Sequence, residues 1–239
     1  MVRNAKKNST KRNDEKDLRE RAFKRLRNVK PRNENQKKYL DSIENNIVTI
    51  GVGPAGSGKT YLSVYEALLH HWAKEKKRMV ITRPAIEAGE KLGFLPGDLM
   101  DKLDPYMRPI YDSLFDLIGI PMTNEKIERG YIEIAPLAYM RGRTFNNCFI
   151  ILDEAQNATI EQLKMVATRV GEGCKIVISG DPGQSDLPGY KKESGLLMLK
   201  DILTGVPGVG IVEFDRHDIV RSRVVIDIVK AFEEYEKNE

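Results

Sequence analysis

The chain has 239 residues, 41% hydrophobic and 31% charged, with a formal net charge of +4. That length suits one α/β domain with a modest insertion, and no apolar run approaches the ~18 residues of a membrane span. Cys148 and Cys174, the two cysteines, sit far apart in the sequence with no metal-like spacing, which excludes a zinc knuckle and a fold built on a disulfide scaffold.

The charge is uneven along the chain. Residues 1–38 carry 15 Lys+Arg against 5 Asp+Glu, while the remainder is mildly acidic. A uniformly basic shell is excluded; a local contact with a polyanion is not. The basic N-terminus has no apolar segment behind it, so no secretory signal is expected. The cysteine usage fits a reducing cytoplasm, which is the expected location.

In chain order, residues 1–13 read as disordered. Residues 14–29 place Leu18, Ala22 and Leu26 four apart, a weak amphipathic helix on a cationic background that Pro31 stops. Residues 1–33 therefore form a basic arm, and 34–239 the folded domain. A helix over about 34–45 precedes the β-branched run Ile47–Ile50, a buried strand. A glycine-rich turn leads into a helix from about Lys59 to Lys74, and Met79–Thr82 is a second strand. Residues 84–127 are an insertion broken by Pro84, Pro96, Pro105, Pro109 and Pro121, with a helix expected over about 104–117. Strands at Tyr131–Ile134, Cys148–Leu152, Lys175–Ser179 and Ile211–Phe214 alternate with helices at 159–170, 194–204 and 219–236. Such alternation predicts a parallel, doubly wound α/β sheet with helices on both faces.

Three segments carry chemistry. Gly53-Pro54-Ala55-Gly56-Ser57-Gly58-Lys59-Thr60 reads G-x-x-x-x-G-K-[ST] between a predicted strand and a predicted helix. Glycines there let successive N–H groups face one phosphate, and the helix N-terminus adds its positive dipole end. Lys59 is placed for the β- and γ-phosphates and the Thr60 hydroxyl for Mg²⁺; Tyr61 follows and belongs to the same nucleotide-binding group. Second, the apolar strand Phe149–Leu152 ends in Asp153-Glu154, at the strand edge where such sheets bind ligands. Asp153 would hold Mg²⁺, and Glu154 would polarise an attacking water. Third, the strand Ile176–Ser179 ends in Gly180-Asp181-Pro182-Gly183-Gln184. Gln184 can sense a γ-phosphate and orient water, and Asp181 can tie its loop to the carboxylate pair. An ordinary Asp-Pro-Gly turn is the plainer alternative.

These segments, with several others, resemble the PhoH-like proteins, single-core P-loop ATPases related to superfamily 1 helicases. The resemblance runs from about Asn33 to the C-terminus. It rests on Asn35-Gln36, the glycine loop, Arg83-Pro84 continuing to Gly93-Phe94-Leu95-Pro96-Gly97, and Pro105-Tyr106-Met107-Arg108-Pro109. Ala135–Thr144, Asp153-Glu154-Ala155-Gln156, Gly180-Asp181 with Gln184 and Asp186, and Asp218-Ile219-Val220-Arg221 complete it. It implies a RecA-like P-loop NTPase core binding ATP and Mg²⁺, assembled as a homo-oligomeric ring of six. It implies that Gln36 reads adenine and that Arg221 stabilises γ-phosphate charge, in cis or from a neighbouring subunit. Arg223 is a rival, because Ser222-Arg223 stands where many relatives carry His-Pro. Arg83, Tyr139, Arg141 and Arg143 are candidates for contact with single-stranded nucleic acid, RNA ahead of DNA, by phosphate pairing and base stacking. Salt bridges that fix the loop are the alternative for those arginines. An ATP-driven protein remodeller without a nucleic-acid partner is the alternative function. A P-loop kinase is disfavoured: Glu154 points to water as acceptor, and 84–127 makes a poor arginine-bearing lid.

Overall fold

The computed structural model describes residues 26–73, 78–84, 99–185 and 194–220, with isolated positions between 224 and 235. Asn33 caps the first helix, α1 (Glu34–Asn45), its side chain accepting from the Gln36 N–H. β1 (Val48–Val52), α2 (Lys59–Ala73) and β2 (Arg78–Arg83) follow, then α3 (Leu99–Ile118), α4 (Ile120–Glu128) and β3 (Ile132–Pro136). The second half contains β4 (Cys148–Leu152), α5 (Ile160–Ala167), β5 (Lys175–Gly180), α6 (Gly195–Leu203) and β6 (Val209–Glu213).

The six strands form one sheet in the order β3-β2-β4-β5-β1-β6. Every pairing is parallel, as the strand–helix alternation predicts. Both faces are covered, so β4 buries every residue and β1, β2 and β5 bury all but their first, alternating only in which layer they feed. In β4, Phe149 and Ile151 join the layer of Tyr39, Leu68 and Leu114, from α1, α2 and α3. Ile150 and Leu152 join the opposite layer with Leu163, Val166 and Leu196, from α5 and α6. Each such side chain contributes about 1.5–3 kcal/mol by leaving water, and together they hold the carboxyl ends of four strands along one edge.

Two expectations need correction. The helix expected over about 104–117 begins at Leu99 and runs through Pro105 and Pro109. Burial of Met107, Ile110, Leu114 and Leu117 outweighs the intrahelical hydrogen bond that Pro109 cannot donate. The folded domain also begins before residue 34. Leu26 and Val29 pack against the α1–α2–α3 layer, and Arg27 N–H donates to the Leu117 carbonyl at 3.0 Å. None of residues 26–33 is helical, because these apolar side chains find the core instead of a helix stripe. The basic stretch 1–25 lies outside the described residues, as do Asp186, Arg221, Arg223 and much of the expected terminal helix. Among the described residues, no helix is long and apolar enough to cross a membrane.

Candidate active site

Register builds the site. Val52 pairs with Gly180 across β1–β5, and Thr82 with Leu152 across β2–β4. The next residues out are therefore Gly53, Asp181, Arg83 and Asp153, all at one edge. Gly53, Gly56 and Gly58 have φ of 147°, 83° and 88°, conformations an L side chain rarely adopts. A Cβ at Gly53 would also collide with the Phe214 backbone.

The glycine loop curls around the end of Lys59. The Lys59 ammonium donates to the carbonyls of Gly53 at 2.7 Å and Pro54 at 2.9 Å, and to Ser57 Oγ at 3.1 Å. Its residue is only 7% exposed. Burial lowers its pKa, against the raising effect of the Asp181, Asp153 and Glu154 charges.

Asp153 is the hub. Its Oδ1 accepts from Thr60 Oγ1 at 2.9 Å and Ser179 Oγ at 3.1 Å. Its Oδ2 accepts from Arg83 Nε at 3.0 Å and Nη2 at 2.7 Å. Arg83 Nη2 also reaches Glu154 Oε1 at 3.1 Å, and Nη1 donates to the Tyr106 carbonyl of α3 at 2.7 Å. Glu154 stands at φ 53°, ψ 40°, a left-handed conformation costing about 1–3 kcal/mol for a non-glycine residue. Its Oε2 accepts from Gln156 Nε2 at 2.6 Å. Asp181 does not contact the carboxylate pair: Oδ2 accepts from Ala55 N–H of the glycine loop at 2.8 Å. Gln156 makes the link instead, its Oε1 accepting from Asp181 N–H at 3.0 Å. Gly180 leaves room for that amide, since a Cβ there would collide with it.

Two adjoining cavities share Gly56, Gly58 and Tyr61. The smaller, about 230 Å³, is lined by Ala55, Lys59, Thr60, Asp153, Glu154 and Asp181. The larger, about 400 Å³, is lined by Asn28, Arg32, Gln36, Asp116 and Val220 among others. Gln36 lines the larger cavity, but both ends of its amide have partners. Nε2 donates to the Ser57 carbonyl at 2.9 Å, and Oε1 accepts from Arg32 N–H at 2.8 Å. Reading a base would require it to release one of them. The Tyr61 hydroxyl donates to Asp116 Oδ2 at 2.6 Å, and burial with this carboxylate pushes its pKa up to about 12. Val220 N–H donates to the Gly56 carbonyl at 2.9 Å, so the chain reaches the loop one residue before Arg221.

The outer candidates separate. Tyr139 is 46% exposed, and Arg141 is exposed, both just beyond the carboxyl end of β3. Gln184 is exposed in a turn after β5. Arg143 instead grips Glu133 with both Nη atoms, at 2.6 and 2.9 Å, and stacks over the Phe145 ring. This is the loop-fixing alternative. The Arg143 hydrogen bond lowers the Glu133 pKa, with Arg78 adding to it. Stability from this pair is therefore complete above the ordinary carboxylate range and is lost as pH falls toward the lowered value. Arg143→Ala is expected to cost about 1 kcal/mol, or about 2–4 °C in Tm, near neutral pH and less at acid pH. Thermal unfolding at the two pH values checks this.

Sequence reasoning missed Ser179 as a partner of Asp153, Gln156 as a bridge, and Asp218 as an anchor. The buried Asp218 carboxylate accepts from Asn35 Nδ2 and Asp215 N–H, both at 2.8 Å. Gln156 and Asp218 lie within quoted motifs and Ser179 immediately precedes one, and that is the available signal.

A parallel sheet with a lysine-bearing glycine loop after β1, and a carboxylate pair after β4 bonded to that loop's threonine, defines a P-loop NTPase core. The chain belongs to the PhoH-like protein family, whose model matches residues 28–233. It is 49% identical over 213 residues to the PhoH-like protein of Mycobacterium tuberculosis, covering 89% of this chain and 60% of that one. It is 50% identical over 198 residues to the PhoH-like protein of Bacillus subtilis, covering 83% and 62%. The chain thus spans about three-fifths of the length of these relatives. Among solved structures it is similar to the large terminase of a thermophilic bacteriophage. There the TM-score is 0.46 and the identity 13%, with 84% of this chain and 50% of that one covered.

Proposed function

We propose that the chain is a Mg²⁺-dependent ATPase that couples hydrolysis to binding of, or movement on, single-stranded nucleic acid, RNA ahead of DNA. The observation that carries the hydrolytic part is the convergence of Lys59, Thr60, Asp153 and Glu154 on one 230 Å³ cavity.

The residues present fit a Mg²⁺–triphosphate. Thr60 Oγ1 and Asp153 Oδ1 lie 2.9 Å apart, a hydroxyl and a carboxylate of the hard-oxygen chemistry that Mg²⁺ prefers. When bound there, the ion would neutralise charge on the β- and γ-phosphate oxygens. Lys59 exchanges its loop carbonyls for phosphate oxygens, a stronger partner for a buried ammonium. Backbone N–H groups of residues 56–60 cradle the phosphates. Glu154, held by Gln156 on one side and Arg83 on the other, orients a water and accepts its proton. Gln184 and either Arg221 or Arg223 complete the shell around the γ-phosphate. The larger cavity takes the nucleoside.

Arg83 belongs to this machinery rather than to a strand contact. Its side chain is 9% exposed, and the guanidinium is bonded to both carboxylates. Tyr139 and Arg141 are left as the strand-facing pair, a stacking ring beside a phosphate-pairing charge. The basic stretch 1–25 adds a salt-sensitive contact. A single core offers one wall to its nucleotide, and a six-membered ring of copies supplies the second. Light scattering on the purified protein tests that assembly.

The deciding experiment is ATP hydrolysis with and without single-stranded RNA and DNA. Stimulation by one strand type is expected and identifies the track. Turnover indifferent to both overturns the nucleic-acid reading and favours a protein remodeller. Deleting residues 1–25, and no further because Leu26 and Val29 pack on the core, is expected to weaken strand binding. The slope of log affinity against log salt is expected to flatten by about 0.7 for each phosphate that the stretch neutralises. An unchanged slope assigns the stretch elsewhere.

A further inference from the structure

Cys148 and Cys174 take no part in the nucleotide site. Phe149 pairs with Lys175 across β4–β5, so the residues just before them, the two cysteines, are brought side by side where the strands begin. Their sulfurs lie 3.2 Å apart. Cys174 Sγ also meets the Phe145 carbonyl at 3.0 Å, and Cys148 N–H donates to Cys174 Sγ at 3.4 Å. Both side chains belong to the apolar layer of α5 and α6, at 1% and 5% exposure. The 25 residues between them in sequence hide this proximity, which rests wholly on strand pairing.

We propose that Cys148 and Cys174 form a dithiol site that peroxides and low-molecular-weight disulfides convert into an intramolecular disulfide bridging β4 and β5. A disulfide needs its sulfurs about 2.05 Å apart, so the thiols must close by roughly 1 Å, within reach of small side-chain rotations. Cys174, the more exposed, meets the oxidant first. With hydrogen peroxide, its thiolate attacks the O–O bond, forming a sulfenic acid and releasing one water. The Cys148 sulfur then attacks the Cys174 sulfur and expels the second water. Two thiols and one peroxide give one disulfide and two waters. With oxidised glutathione, Cys174 displaces one glutathione thiol to form a mixed disulfide, and Cys148 displaces the other. Burial slows the first step, because it limits access of the oxidant to the sulfur. Proximity speeds the second, because the attacking sulfur is already in contact, so the one-cysteine intermediate does not accumulate. The bridge pins the start of the two strands whose far ends carry Asp153-Glu154 and Ser179–Asp181.

The test treats the full folded chain with oxidised glutathione or hydrogen peroxide, then denatures it in an alkylating agent for intact-mass and peptide analysis. The expected product has lost two hydrogens and both alkylation sites together, carries no glutathione, forms no covalent dimer, and reverts with dithiothreitol. Cys148→Ser and Cys174→Ser are each expected to abolish that product and leave a glutathione or sulfenic adduct on the remaining cysteine. Full alkylation of both cysteines after oxidation, adducts on single cysteines in the unsubstituted chain, or cross-linked dimers would each overturn the assignment. The decisive readout is made on the unsubstituted chain, so a variant that fails to fold does not remove the test.

Discussion

Lys59→Ala is expected to abolish ATP turnover while leaving a folded protein. The Lys59 ammonium is buried, and its hydrogen-bond partners are two carbonyls and a hydroxyl, all neutral. Burial costs this ammonium more than the nearby Asp181, Asp153 and Glu154 carboxylates return, so an arriving anion is favoured. The triphosphate supplies that anion, and the interaction strengthens further as γ-phosphate charge shifts during transfer. By comparison with the removal of a single preorganised donor, the loss in turnover is at least about 10²–10³-fold. The fold does not depend on the same hydrogen bonds, because all three join Lys59 to its own loop. The lowered pKa shows that the free fold disfavours this ammonium, so Lys59→Ala is expected to keep a cooperative thermal transition.

The pH dependence has a definite sign. The lowered Lys59 pKa means that folding forces the ammonium into a place that disfavours it. Its contribution destabilises the free protein at low pH, and that destabilisation is relieved as pH rises through the lowered pKa toward the ordinary lysine value. Nucleotide binding runs the other way, since phosphate favours the ammonium. ATP affinity is therefore expected to fall on the alkaline side, beginning below the ordinary lysine range, with protons taken up on binding there. Titration calorimetry in buffers of different ionisation enthalpy reads both effects. Lys59→Ala should lack the alkaline limb. A variant that hydrolyses ATP normally removes Lys59 from the mechanism.

What is legible in the sequence is local. Lys59 and Thr60 follow a strand and open a helix, and Asp153-Glu154 end a run of buried apolar residues; each can be placed at the sheet edge without knowing the neighbours. Arg83 can be placed there too, but not beside Asp153. That contact exists because β2 lies next to β4, a strand order that nothing in either segment encodes. Ser179 reaches Asp153 for the same reason across β5. The proximity of the cysteines is another product of that order. Gln36 can be located from the sequence but its partners cannot, since both come from turns whose shape the sequence pattern does not specify. The proline-broken stretch shows its helix but not the start at Leu99, because local propensity is a weak signal against the burial of Ile110, Leu114 and Leu117. The left-handed backbone at Glu154 leaves no trace at all: glutamate is not a residue from which such a conformation would be read.

That strain bears on the second large effect. Glu154→Gln is expected to bind ATP with little change and to hydrolyse it about 10²–10⁴-fold more slowly, the usual contribution of a positioned base. Glutamine matches glutamate in length and keeps the same backbone conformation, so the loop stays where Gln156 and Arg83 hold it. It still offers one oxygen to the Arg83 guanidinium. The change removes basicity and replaces the oxygen facing Gln156 Nε2 with a second N–H donor, unless one of the two amides turns. The variant should therefore accumulate as an ATP complex, and this can be seen by quenching a single turnover and separating bound ATP from ADP. Binding and chemistry come apart in that measurement: nucleotide retained with slow cleavage assigns the proton-accepting role to Glu154. Cleavage at the unsubstituted rate takes the role away from Glu154 and leaves it as part of the Arg83–Gln156 scaffold around the attacking water.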